Sequence, residues 1–162
     1  MEGREIADKV RRKAEEFRKF CAGIDEGTAS RAPEGRWSPK QIVSHLCGLG
    51  GLEPMAVLRL FVEKDVPEID LEPGNPCFSG KRAQMTFAEL VAEFERTYRE
   101  CADFIARLTP AELGRKAHIP ALKESPLGEY PTLGALFEGR APHIAFHIDH
   151  MREILAAQVR TG

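Results

Sequence analysis

Apolar residues in this chain recur at helical spacing almost from end to end, and strand-type alternation is nearly absent. Ile6, Val10, Phe17 and Phe20 mark a first stretch over residues 4–22, ended by Gly23 and Gly27. A second opens on Ser38, Pro39 and Gln41. A hydroxyl N-cap, a proline at the first helical position and an amide three residues after the cap form a capping box. Ile42, Leu46, Leu49, Leu52, Ala56, Leu60 and Phe61 carry this stretch to about residue 63, and Pro54 inside it predicts a kink near Gly50 and Gly51. Thr86 and Glu89 form a second box, heading a helix striped by Phe87, Leu90, Phe94, Tyr98, Cys101, Ile105 and Leu108. Thr109, Pro110 and Glu112 begin one short helical turn, and Thr132 opens a last helix running to about residue 159.

Proline and glycine concentrate in two connections, residues 65–85 and 114–131. Four long helices joined by such connections predict an all-α fold, a four-helix bundle with long crossovers, as one domain over residues 1–162. A connection of about 20 residues with little regular structure is unusual in a compact domain, so 65–85 is expected to act as a lid or substrate-selecting loop.

Charge and cysteine usage narrow the function class. The formal net charge is −2, and Lys9, Arg11, Arg12 and Lys13 are interleaved with Glu5, Asp8, Glu15 and Glu16. That pattern predicts a solvated helix face and no nucleic-acid partner. No run approaches the roughly 20 apolar residues that span a bilayer, and the charged residues 2–4 predict no secretory leader. Cys21, Cys47, Cys77 and Cys101 are widely spaced, which predicts free, mostly buried thiols and a cytoplasmic address.

Five histidines remain: His45, His118, His143, His147 and His150. His143 and His147 are four apart, one turn on one helix face, where two imidazoles can share one ion. Ile144, Ile148, Met151, Ile154 and Leu155 make that helix a buried one. Buried imidazoles without partners cost roughly 1–3 kcal/mol each, and a metal satisfies both. His45, set among Ile42, Leu46 and Leu49, is the candidate third ligand; the alternative is a hydrogen-bonded core histidine. Three imidazoles leave coordination positions free, the catalytic pattern for a divalent ion. Cys47 is predicted to point away from His45, and His118, near Pro120, to be exposed. Gly48, Gly50 and Gly51 beside His45 serve either close helix packing or a gap that admits substrate.

The run Gly35, Arg36, Trp37, Ser38, Pro39, Lys40, Gln41, Ile42, Val43, Ser44, His45, Leu46 resembles the opening signature of the DinB/YfiT-like metalloenzyme family. Its marks are a Trp-Ser pair and a His-Leu seven residues after the serine. The segment from Thr132 and Leu133 through His143 and His147 to Ile154 resembles the family's last helix. The resemblance implies an up-down-down-up four-helix bundle, a homodimer, and a three-histidine site for one divalent ion, zinc or nickel first, on His45, His143 and His147. It further implies a small-molecule substrate and either thiol transfer, with a low-molecular-weight thiol such as bacillithiol or mycothiol as co-substrate, or metal-assisted hydrolysis. A dimeric bundle serving as a non-catalytic binding module is the competing reading. Trp37 is expected to anchor the helix entry.

For acid–base work the candidates are His150 first, then Asp149, Glu53 and Glu138. Pro142 departs from a regular helix. It removes the hydrogen bond to the Glu138 carbonyl and predicts a kink or break there, with His150 replacing His143 if that ring leaves the stripe.

Overall fold

The computed structural model describes residues 2–161. Its helices, in chain order, are α1 (Gly3–Cys21), α2 (Glu26–Ala29), α3 (Pro39–Cys47), α4 (Pro54–Glu63), α5 (Lys81–Gln84), α6 (Phe87–Ala106), α7 (Pro110–Leu113), α8 (Leu133–Glu138) and α9 (Arg140–Thr161), with one 3-10 turn at Pro120–Leu122. Among the described residues there is no strand, only isolated bridges such as Glu68 with His118.

Both capping boxes form. The Ser38 hydroxyl accepts from the Gln41 amide at 3.2 Å and the Gln41 side chain accepts from the Ser38 amide at 2.7 Å. Thr86 and Glu89 repeat the exchange at 3.1 and 2.9 Å. Each box satisfies amides that the helix cannot, and fixes the residue at which the helix starts. Because α3 starts at Pro39, His45 falls near its end, one turn before Gly48.

The four-helix bundle is built from α1, α3 with α4, α6, and α9. The main packing pairs are α1 with α6 and α9, and α3 with the same two helices. Around the bundle the order is therefore α1, α6, α3, α9, so α1 and α3 sit across one diagonal and α6 and α9 across the other, while α3 packs on its successor α6. Phe17, Phe61, Phe94 and Phe137 are fully buried at the centre, with the Phe17 and Phe94 rings 4.9 Å apart. Gly3 lets α1 approach α6, since a Cβ there would lie 2.2 Å from the Ile105 carbonyl oxygen.

The expected kink in the second helix is a full break. Between α3 and α4 the chain makes a tight loop closed by reciprocal hydrogen bonds of Leu49 and Leu52. Gly50 takes φ of +56° there, and a Cβ would lie 2.7 Å from the Leu71 Cβ. Glycine is needed both for that left-handed backbone and for the approach of the crossover. The last helix also divides, at Gly139, between α8 and α9. Pro142 is then the third residue of α9, where amides have no intrahelical acceptor, and the ladder resumes as the His143 amide donates to the Gly139 carbonyl at 3.3 Å. Beyond the proline, α9 continues as one helix to Thr161.

His118 is half-buried rather than exposed. Its Nε2 lies 3.1 Å from Glu129 and its Nδ1 3.5 Å from Glu68, while its ring stacks on Tyr130 with centroids 4.7 Å apart. It ties the two long connections together, aided by its amide donating to the Pro67 carbonyl at 2.9 Å.

Candidate metal centre

Helices α3 and α9 pack directly on each other, and three imidazoles meet at their contact. Nε2 of His143 lies 3.4 Å from Nε2 of His45 and 3.1 Å from Nε2 of His147. One ligand atom from each ring lies within 4.8 Å of the others. Metal–nitrogen bonds of about 2.0–2.1 Å put the nitrogens of a tetrahedral or octahedral shell about 2.9–3.4 Å apart, which matches the separations of His143 from His45 and from His147. His45 and His147 are buried and His143 is half-buried.

The hydrogen-bond partners decide what these nitrogens can do. Nδ1 of His45 lies 2.7 Å from the Asn75 carbonyl oxygen. A carbonyl only accepts, so Nδ1 carries the hydrogen and the Nε2 lone pair is bare. A hydrogen on His143 Nε2 could point at only one of its two neighbours. Hydrogen bonding alone therefore leaves a bare buried nitrogen facing another, whereas a divalent ion would accept all three lone pairs. Nδ1 of His143 is also buried without a hydrogen-bond partner. Such a cost is characteristic of sites kept for what they bind.

Burial keeps the rings neutral, the state a metal ligand requires. His143 is pushed down to about 2, first by desolvation, then by the Arg140 charge and the neighbouring rings. His147 is pushed down to about 3 by desolvation, then by His45, His150 and Arg140. His45 is lowered by desolvation, opposed by its bond to Asn75.

His150 stands just outside the cluster. Its Nδ1 lies 3.3 Å from Nδ1 of His147, so one proton can be shared on the side of His147 away from the triad. Trp37 covers this side, its ring 5.2 Å from His45 and 6.0 Å from His150. Trp37 thus anchors the helix entry and also walls the site.

The other acid–base candidates lie elsewhere. The Glu53 carboxylate caps α4, accepting from the Met55 and Ala56 amides at 3.2 and 2.7 Å. Glu138 pairs with Lys9 at 3.2 Å and Asp149 with Arg152 at 3.0 Å. Cys47 is buried with its thiol toward the Leu90 carbonyl, on the α6 side and outside the cluster, and desolvation pushes it up to about 12. Gly48 packs under the crossover, where a Cβ would sit 2.9 Å from the Cys77 sulfur, and it also lines a cavity at the cluster.

Two cavities meet at these rings. One, of about 470 Å³, is lined by leucines with His45, His143 and Arg140. The other, of about 460 Å³, is an open cleft bounded by Trp37, Phe146, His147 and His150, with His45 and His143 again in its wall. Sequence reasoning missed Asn75 and Arg140. Arg140 could have been noticed one turn before His143 on an otherwise apolar face; nothing local marks which carbonyl of residues 65–85 would reach His45.

The family model of the DinB superfamily matches residues 9–151. Among solved structures, the fold is similar to that of YfiT from Bacillus subtilis, described as "a probable metal-dependent hydrolase with an unusual four-helix bundle topology". The TM-score is 0.75 at 16% identity, covering 97% of this chain and 87% of that one. No curated protein sequence matches.

Proposed function

This chain belongs to the DinB superfamily, and on that premise we propose that it is a divalent-metal-dependent enzyme acting on a small molecule, hydrolysis being the reaction favoured. His45, His143 and His147 hold the ion in this reading. The observation that carries it is the convergence of three imidazole nitrogens, 3.1–3.4 Å apart along the chain of contacts, where two cavities meet. The description of YfiT as a metal-dependent hydrolase supports the same direction.

Zinc or nickel bound there would supply Lewis acidity and a water or thiol ionised near neutral pH. The chain's own residues do the rest. Asn75 fixes the tautomer and rotation of His45 through its carbonyl. With Nε2 of His147 turned to the ion, its Nδ1 carries the hydrogen and donates it to Nδ1 of His150, which lines the open cleft and orients the ring. Trp37 shields one flank from water.

Thiol transfer is the second reading, supported by the two separate cavities, which give two reactants distinct approaches to the same rings. The two are separated by assaying hydrolysis of ester and amide panels with and without a low-molecular-weight thiol; strict thiol dependence selects transfer.

Elemental analysis of the purified protein tests the metal itself. About one zinc or nickel per chain is expected, with loss of the ion in a His147→Ala variant that keeps its helical circular dichroism. Protein loaded with either metal that retains none would overturn the proposal and favour the binding-module reading.

A further inference from the structure

The cavity of about 470 Å³ is within the range of small-molecule sites, and its wall is mostly aliphatic: Leu49, Leu71, Leu122, Leu127 and Leu136. Leu71 comes from the first long connection and Leu122 and Leu127 from the second. Both connections, pinned together at His118, therefore shape one chamber.

Arg140 is the one charged residue in this wall. Its Nε and Nη2 donate to the Tyr98 hydroxyl at 3.0 and 2.7 Å, and its guanidinium lies over the Tyr98 ring, 5.9 Å from the centroid. Those bonds fix the group on the buried α6 residue, and among the described residues its other donors have no acceptor. Among the described residues no carboxylate pairs with it: neighbouring Glu138 is taken by Lys9, and Glu53 by the α4 amides. A half-buried guanidinium held rigid and lacking a counter-ion is suited to a bound anion.

We propose that this cavity binds an amphiphilic carboxylate, its hydrocarbon body against the leucines and its single negative charge on Arg140, with its head beside His143. A single guanidinium balances one charge, and the aliphatic wall offers few partners to a sugar or nucleoside. The inference rests on the metal-enzyme reading for its functional meaning, since it names the substrate class of that site, but binding itself can be measured without metal.

The test is a calorimetric titration at neutral pH of chelator-stripped full-length protein with decanoate, decanol and acetate. Decanoate is expected to bind roughly 10–100-fold tighter than decanol, the range of one charge-assisted pair, and acetate hardly at all. Arg140→Gln should reduce decanoate affinity to that of decanol while leaving decanol unchanged. Leu127→Trp, which fills the chamber from a half-buried position in the second connection, should weaken both and leaves the Tyr98 contact intact. Equal binding of decanoate and decanol to the unmodified protein overturns the proposal without recourse to a variant. So does Arg140-independent binding. Metal content, measured separately, is the readout for the other reading. Arg140-dependent decanoate binding by a protein that takes up no metal upholds the chamber while the metal reading fails.

Discussion

The Asn75 carbonyl oxygen accepts one hydrogen from Nδ1 of His45 and so leaves its Nε2 bare toward His143, and that bare nitrogen separates a candidate ligand from a core histidine. The triad itself was legible in the sequence, because a four-residue spacing and an apolar setting are local properties of α3 and α9. The supports were not. A backbone carbonyl carries no residue-type signal, and its position depends on the path of a whole crossover. His150 illustrates the intermediate case: its place on the stripe was readable, but its 3.3 Å approach to the far nitrogen of His147 depends on rotamers. His150→Ala is expected to keep a stoichiometric ion while weakening metal affinity roughly 10–100-fold, measured by competition with a chromophoric chelator. An unchanged affinity would show that the His147 ring is oriented without it.

At the scale of helices, start signals proved more readable than interruptions. Ser38 and Thr86 act through side chains three residues away, so their boxes could be read directly from the sequence. The breaks at Gly48 and Gly139 arise where glycine is combined with docking of another segment, which no local window contains. Ser38→Ala should cost about 1 kcal/mol in urea denaturation, the usual worth of an N-cap. Pro142→Ala should change stability by less than about 1 kcal/mol, against about 3 kcal/mol for a proline inside a helix. A gain of several kcal/mol on replacing Pro142 would mean that it strains α9 after all.

Over the whole molecule, the neutral triad couples folding to pH. His143 and His147 have folded values of about 2 and about 3 against an ordinary 6.5. The unfolded chain therefore binds more protons between these limits. Metal-free protein should hold full stability from this source above about pH 6.5 and lose it as pH falls toward 3, by at most about 1.4 kcal/mol per pH unit for each ring. Urea midpoints measured from pH 7.5 to 4 check this; a flat profile would place the rings in contact with solvent.

The diagonal placement of α1 and α3 bears on how the chain folds. An up-and-down bundle can assemble through helical hairpins, each closing a short loop. Here the first helix must find α6 or α9, and α3 shares those same partners rather than docking on α1. The earliest stable pairing available to α1 thus closes a loop that includes α3, α4 and the entire first crossover. Entropy of closure is spent on distant segments before the core offsets it, so refolding should be slower than in sequentially paired bundles of similar length.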